Sequence, residues 1–376
     1  MPERKPNVLF VLTDQQRWDT VGAYGSPMGL TPNLDAMAEA GVLFENAFTC
    51  QPVCGPARAC LQTGKYATET GCFRNNIAMR SDDRTIAHSL SEAGYEVGYI
   101  GKWHLASTGG LPDRLEMNNR EGPVPPHLRG GWNDYWLASD VLEFTSHGFG
   151  GHMWDSGGRK VEFDGYRVDC QTDFVLDYLR TRDGKRPWFL FLSYIEPHHQ
   201  NNHKHYEGPK GSKERFKDFT VPGDLIDTEG DWREEYPDYL GCCAALDAGL
   251  GRIRSELEKL GLAENTLIIY SSDHGSHFRT RNGEYKRAPH DGCLRIPMIA
   301  CGPGFRGGKT IENPVSLIDL PPTFLTAGGA PVPEYFAGRP LQGLAAGSAP
   351  DWPEEVFAQI SESQVGRCLR TLRWKY

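Results

Sequence analysis

Four short, nearly continuous apolar runs, each ending abruptly in acid, base or ligand-type residues, constrain the fold of this chain most. Asn7–Thr13 (NVLFVLT) gives way to Asp14-Gln15, and Tyr95–Ile100 (YEVGYI) to Gly101-Lys102-Trp103-His104. Trp188–Tyr194 (WFLFLSY) runs into Glu196-Pro197-His198, and Thr266–Ser272 (TLIIYSS) into Asp273-His274-Gly275. Runs of this length with no polar face read as strands buried on both sides, as in a parallel sheet. Helical segments alternate with them. Thr31-Pro32 offers a cap and a first-turn proline for a helix that Gly41 ends. Thr85–Ala93, Asp173–Arg182 and Tyr236–Leu260 are three more. The alternation predicts an α/β fold whose central, mostly parallel sheet has helices on both faces.

In such sheets ligands bind beyond the carboxyl ends of the strands. The four endings therefore offer Asp14, Gln15, Lys102, His104, His198, Asp273 and His274 to one edge. Asp14, Gln15 and Asp273 supply carboxylate and amide oxygens, the donors that Ca²⁺ or Mg²⁺ prefers. The single imidazole of His274 also admits Mn²⁺.

Between the first two strands lies TCQPVCGPARACLQTGKYATETG, Thr49–Gly71. Pro56 suits the first turn of a helix running to about Thr63, with Gly64 as its stop. Cys54 then sits at the helix N-terminus, where backbone N–H groups and the dipole favour an anion. Arg58, one turn on, adds fixed positive charge. Three readings stay open here: an oxyanion site, an activated thiolate, and a buried cysteine capping a helix.

The remaining features exclude more than they specify. The 376 residues carry a net charge of −9 with no long basic run, which argues against a nucleic-acid partner. No apolar stretch is long enough to span a membrane. The start, MPERKPNVLFVLTD, lacks the apolar core and cleavage site of a signal peptide. The chain as written reads as cytoplasmic, with a secreted or periplasmic form open if a signal has been removed. Ten cysteines show no regular framework and no two CxxC pairs, so reduced thiols are expected rather than disulfides or structural zinc. Cys60, Cys242 and Cys243 are expected in the core. Two stretches, 106–165 and 200–232, read as irregular loops of the kind that form lids or binding surfaces. A Gly/Ala/Pro-rich segment, Gly338–Pro350, marks a boundary. It divides a catalytic unit, 1–340, from a linker and the start of a C-terminal subdomain, 341–376.

The order Cys54-Gly55-Pro56-Ala57-Arg58, continuing Ala59-Cys60-Leu61-Gln62-Thr63-Gly64, resembles the signature of the formylglycine-dependent sulfatases. Their second signature is matched by Gly94-Tyr95-Glu96-Val97-Gly98-Tyr99-Ile100-Gly101-Lys102-Trp103-His104. Asp14, the Pro197-His198 pair, Asp273-His274-Gly275 and Lys286 follow in family order, so the resemblance runs from about residue 6 to the end. It implies an alkaline-phosphatase-like fold. It also implies that a maturation enzyme oxidises Cys54 to formylglycine, whose hydrate carries two hydroxyls. One attacks sulfur and expels the alcohol; deprotonation of the other then releases sulfate. By the same resemblance, Asp14, Gln15, Asp273, His274 and the modified Cys54 hold one divalent metal, calcium first. Arg58 and Lys102 stabilise the hydrate, and His104 is the base that opens the hemisulfate. His198 and Lys286 bind sulfate oxygens, and one of them protonates the leaving alcohol. Asn75 stands where some relatives contact substrate.

Gln15 and His274 replace carboxylate and amide ligands common in the family, which points to a branch that also holds phosphonate monoester hydrolase-like enzymes. A phosphonate monoester or phosphodiester hydrolase with the same apparatus is thus an alternative to a sulfatase, as is an inactive carbohydrate-binding relative. A third is a hydrolase that uses the Cys54 thiol itself. The final Arg370–Tyr376 looks like the opening of the family's C-terminal hairpin, which the resemblance continues beyond Tyr376. Trp132, Trp136 and Trp154, His127, His147 and His152, and the His/Lys-rich 198–216 segment are candidate contacts for a sulfated sugar. His199 and His277 are candidates for supporting the site residues beside them.

Overall fold

Apolar runs with no polar face must satisfy their backbone in a sheet and their side chains in two layers. The computed structural model, which describes residues 5–111, 113, 115–362 and 364–376, has that arrangement. In chain order its strands are β1 (Asn7–Thr13), β2 (Val42–Phe44), β3 (Ala47–Phe48), β4 (Glu96–Lys102) and β5 (Tyr135–Ser139). Next come β6 (Phe149–Asp155), β7 (Lys160–Tyr166), β8 (Trp188–Ser193) and β9 (Thr266–Ser272). The last are β10 (Met298–Cys301), β11 (Lys309–Ile311), β12 (Val315–Ser316), β13 (Glu355–Ile360) and β14 (Gly366–Thr371).

Among the described residues, ten strands join one sheet in the order β11-β2-β10-β9-β1-β8-β4-β5-β6-β7. The four runs that stand out in the sequence occupy neighbouring places, β9-β1-β8-β4, and all are parallel. Antiparallel pairings appear toward both edges. Register decides where the site lies. Thr13 pairs with Ser272, Leu12 with Ser193, and Gly101 with Ser193, so the four strands end level.

Side chains alternate between the faces of β1. Val8, Phe10 and Leu12 pack on one side with the helices Cys54–Thr63, Ile86–Glu92 and Leu320–Gly328. Leu9 and Val11 pack on the other with Pro32–Ala40, Arg167–Arg180 and Trp232–Lys259. Each such buried side chain contributes about 1.5–3 kcal/mol.

Several sequence expectations need correction. The stretch 106–165 is not wholly irregular, since it supplies β5 and the antiparallel pair β6-β7. Gly150, Gly151 and Gly165 break the β6-β7 pattern, and Gly151, at φ +142°, lies at a register shift. The helix expected from Asp173 begins at Arg167, because Arg167 and Gln171 are polar yet buried. The helix expected from Tyr236 begins at Trp232 and carries Pro237 inside it. The expected turn at Arg370–Tyr376 is present: Arg370 and Thr371 end β14, Thr371 N donates to Trp374 O at 2.9 Å, and Leu369 and Tyr376 exchange backbone bonds of 3.1 and 3.0 Å as the chain folds back antiparallel beside the β13-β14 hairpin. That hairpin packs Val356, Ala358, Ile360 and Cys368 against Phe48 and Leu294. Gln359 N donates to Cys50 O at 2.8 Å, which ties the hairpin to the segment before Cys54. No helix among the described residues is long and apolar enough to cross a membrane.

Candidate active site

Cys54 is the first residue of the helix Cys54–Thr63, after an extended Val53. Gly64 ends the helix at φ +68°, where a Cβ would lie 2.5 Å from the Phe336 ring. The helix is buried along its whole length and aims its N-terminus at the strand ends. Asn75 Oδ1 accepts the Gly55 N–H at 2.9 Å and so satisfies one of the free donors there.

Around the Cys54 sulfur the distant strand ends converge. Its thiol donates to Asp14 Oδ1 at 3.2 Å, His274 Nε2 lies at 3.2 Å, and Lys286 Nζ donates to it at 2.9 Å. Lys102 Nζ and Arg58 Nη2 reach Asp14 Oδ2 at 2.7 and 3.0 Å. Arg58 also lies 3.4 Å from Asp273 Oδ2 and donates to Ser193 Oγ at 2.6 Å. Lys286 Nζ donates to His198 Nε2 at 2.9 Å and to Gln15 Oε1 at 3.5 Å. His104 holds a left-handed φ of +61°, with its N–H on Asp140 O at 2.6 Å. All of these side chains are buried except His104, which is half-buried, and Asn75 beside them.

Burial raises the Asp14 carboxyl, but Lys102, His198 and Arg58 outweigh it and hold it well below the usual carboxylate range. Burial and the neighbouring Asp14 charge push Asp273 up to about 7. Burial, then the cations nearby, keep His104 and His198 well below the ordinary histidine range. Burial and Asp14 push the Cys54 thiol up to about 11.

The donor set fits a divalent cation. Asp14, Cys54, Asp273 and His274 place ligand atoms within 4.8 Å of one another. Asp273 Oδ2 is buried without a hydrogen-bond partner among the described residues and has only the Arg58 guanidinium at 3.4 Å, which leaves lone pairs free for a metal ion. His274 Nδ1 donates to Gly275 O at 2.8 Å, which fixes the tautomer and leaves the Nε2 lone pair facing the carboxylates. Gln15, in the left-handed region at φ +72°, donates its amide N–H to Tyr206 OH at 2.6 Å, which turns Oε1 inward.

A cavity of about 570 Å³ opens onto this cluster, lined by Gln15, Asn75, Lys102, His104, His198 and Lys286 among others. A scan against family models matches residues 6–330 to the sulfatase family. The chain belongs to the sulfatase family. A curated relative, an ulvan-active sulfatase of Formosa agariphila, is 29% identical over 394 residues, covering 99% of this chain and 72% of the relative. The N-acetylglucosamine-6-O-sulfatase of Bacteroides thetaiotaomicron is 25% identical and covers 96% of this chain and 75% of its own. The fold is shared more widely. A phosphonate monoester hydrolase structure from Agrobacterium radiobacter aligns with a TM-score of 0.76 at 23% identity, covering 99% of this chain and 86% of that one.

Every residue singled out from the sequence as catalytic, substrate-binding or metal-holding stands in this cluster or on the cavity wall. The expected sugar platform does not. Trp132 and Trp136 are buried, packed with Tyr99, Trp103 and Phe191, and Trp132 Nε1 donates to Gln62 at 2.9 Å. Trp154 lies outside the cavity, edge-on to His152 and beside Lys160. Of the 198–216 segment only His198 and Asn201 line the cavity; His203, Lys204 and His205 line another with His147. His127 is exposed on a short turn of helix. Sequence reasoning missed Ser193, which supports Arg58, and Tyr206, which orients Gln15. It also missed Glu143, whose Oε2 lies 3.7 Å from His198 Nδ1. None of these stands in a motif; Ser193, the last residue of a buried strand, carried the clearest signal.

Proposed function

We propose that the chain hydrolyses a sulfate ester of a carbohydrate, with residue 54 as nucleophile after conversion of Cys54 to formylglycine. The observation that carries this reading is the convergence of Asp14, His274 and Lys286 within 3.2 Å of the Cys54 sulfur at a helix N-terminus. A divalent cation held by Asp14, Gln15, Asp273, His274 and residue 54 would lower the pKa of a hydroxyl nucleophile and neutralise sulfate charge. Calcium is the ion assigned, because the carboxylates and the amide are hard oxygen donors. Magnesium and manganese are the ions to test against it.

The chain's own side chains divide the remaining work. Lys102 and Arg58 hold Asp14 ionised and keep positive charge beside residue 54. In the unconverted chain the Lys286 pKa is raised: burial pulls it down, and Cys54, Asp14 and Asp273 more than offset that; after conversion the Asp14 and Asp273 carboxylates remain beside it. Lys286 therefore donates N–H to a sulfate oxygen and is the proton source for the leaving alcohol. His198, kept neutral, receives the Lys286 N–H and orients it. His104, also neutral, has a buried Nδ1 with no partner among the described residues and serves as the base for sulfate release. Asn75 caps the helix with its carbonyl oxygen and turns its N–H₂ to substrate. In this reading 1–340 is the catalytic unit. The 341–376 segment completes the wall, since Glu362 Oε1 accepts the Asn75 N–H at 2.5 Å.

The test is twofold. Protein made beside a formylglycine-generating enzyme is digested, and the peptide holding residue 54 is weighed for thiol-to-aldehyde conversion. Sulfate release is then followed on nitrophenyl sulfate and a panel of sulfated sugars, with a nitrophenyl phosphodiester in parallel. Turnover of the phosphodiester alone would transfer the chain to the phosphonate monoester hydrolase class.

A further inference from the structure

The cavity wall carries more positive charge than one sulfate needs. Arg287 is taken by Glu284 and Glu362, and Arg279 lies 3.3 Å from Asp231. Arg74 and Arg120 enter no salt bridge among the described residues, although Asp140 acts on Arg120 from a distance and Glu116 lines the second cavity with both. Arg74 donates to the carbonyls of Asn75, at 3.0 Å, and of Gly109 and Gly110, at 2.9 Å each. These bonds to carbonyl oxygens fix the guanidinium without a direct carboxylate contact, and the exposed Glu116 is the acid that lines the second cavity with it. The Arg120 side chain makes no hydrogen bond among the described residues, and its Nη2 lies 3.8 Å from where a Gly109 Cβ would stand.

Both arginines, with Asn76, line the active-site cavity and also a second cavity of about 640 Å³ beside it. Each volume alone suits a small ligand, about 300–1,000 Å³, so a ligand spanning both is larger than one. The shared wall is braced. Gly109 N donates to Asn76 O at 3.1 Å, Thr108 and Met117 exchange bonds of 2.9 Å, and Asn119 Nδ2 donates to Ala106 O at 2.7 Å. Arg74 is tied to the reacting end through Asn75, which caps the helix of Cys54.

We propose that Arg74 and Arg120 form a second anion subsite, which receives a sulfate or carboxylate group on the sugar next to the one losing its sulfate. Guanidinium groups suit either anion, because their planar N–H pairs match both. This inference rests on the sulfatase reading and narrows its substrate to a saccharide with at least two anionic groups.

The test uses matched disaccharides that carry the scissile sulfate with no second charge, a second sulfate, or a neighbouring carboxylate. The wild-type enzyme should favour at least one charged disaccharide by about tenfold or more in kcat/KM, a preference that weakens with salt. Arg120→Ala should remove that preference through KM, while kcat/KM on nitrophenyl sulfate stays within about twofold. Arg74→Lys should give an intermediate loss, with its loop bonds largely kept. Equal use of the charged and uncharged disaccharides by wild type would overturn the subsite, as would an equal loss on nitrophenyl sulfate in Arg120→Ala. Calorimetry with a desulfated disaccharide bearing only the carboxylate, or only the second sulfate, separates the two readings. If no substrate is turned over, the sulfatase reading fails. Binding of such a probe to wild type, lost in Arg120→Ala, would still support the subsite, and no binding of either would sink it.

Discussion

Lys286 Nζ lies 2.9 Å from Cys54 Sγ, although 232 positions separate the two in the chain. The same nitrogen donates to His198 Nε2, so one buried ammonium links the nucleophile position to a neutral imidazole. Removing it should leave the ground-state site standing and strip positive charge from the place where sulfate charge develops. Lys286→Ala is expected to lower kcat by about 10²–10³, the scale of losing one fixed donor in a preorganised site. Steady-state kinetics with a melting curve on the same protein check this. A loss below about tenfold in a fully folded variant would take Lys286 out of the reaction.

Unconverted Cys54 should be a poor nucleophile. Burial and the Asp14 charge push its thiol up to about 11, and Lys102 and Lys286 offset only part of that. At pH 8 about one thiol in a thousand would be thiolate, and the thiolate is the reactive form. In metal-free, unconverted protein, alkylation of Cys54 by iodoacetamide should be far slower than that of an unhindered thiol. Its rate should climb as the pH rises from 8 to 10. Rapid alkylation at pH 7 would revive the direct thiol mechanism.

The strand core and the residues that converge at its carboxyl edge were legible because one physical rule served both. Buried parallel strands read as unbroken apolar runs, and their ends must carry the polar chemistry. The signatures around Cys54 and Lys102 then singled out Cys54 among the ten thiols. In β6, Gly150 and Gly151 interrupt the alternation that marks a strand, whereas β7 does alternate, with Val161 and Phe163 set between Lys160, Glu162 and Asp164, a signal that sequence reasoning missed. Trp132 and Trp136 misled for a related reason. A tryptophan in a Gly-rich stretch looks exposed, yet these two fill the layer over Tyr99 and Phe191. Tyr206 and Glu143 act through distances that no local pattern encodes.

Asp14 and Asp273 share a buried space in which Arg58 contacts both. Without a cation, burial and Asp14 leave Asp273 hard to ionise, as its rise to about 7 shows. Chelation should therefore lower the melting temperature, and calcium should restore it. At a hundredfold excess over Kd, binding to the native state adds about 2.7 kcal/mol. Asp273→Asn should reverse part of this pattern. Its metal-free form should melt above metal-free wild type, because the repulsion is gone, and calcium should no longer raise it. Scanning calorimetry with and without chelator decides. An undiminished calcium response in Asp273→Asn would remove that carboxylate from the site.

His277 gives the pH dependence a sign. It is buried, its Nε2–H donates to Lys286 O at 3.2 Å, and its Nδ1 has no partner among the described residues. Burial carries its pKa down to about 4, whereas the unfolded chain titrates near the ordinary 6.5. Between those values the unfolded state binds the extra proton, so stability rises with pH across the window and is lost as pH falls from about 6.5 to 4. His104, His198 and His274 are shifted the same way and steepen the fall. His277→Gln can keep the bond to Lys286 O while binding no proton. It should flatten the dependence of ΔG on pH between 6.5 and 5 by up to about 1.4 kcal/mol per pH unit. Urea unfolding of wild type and variant at pH 6.5 and 5, in the same metal state, measures the difference. Parallel curves would mean that His277 is charged in the native protein.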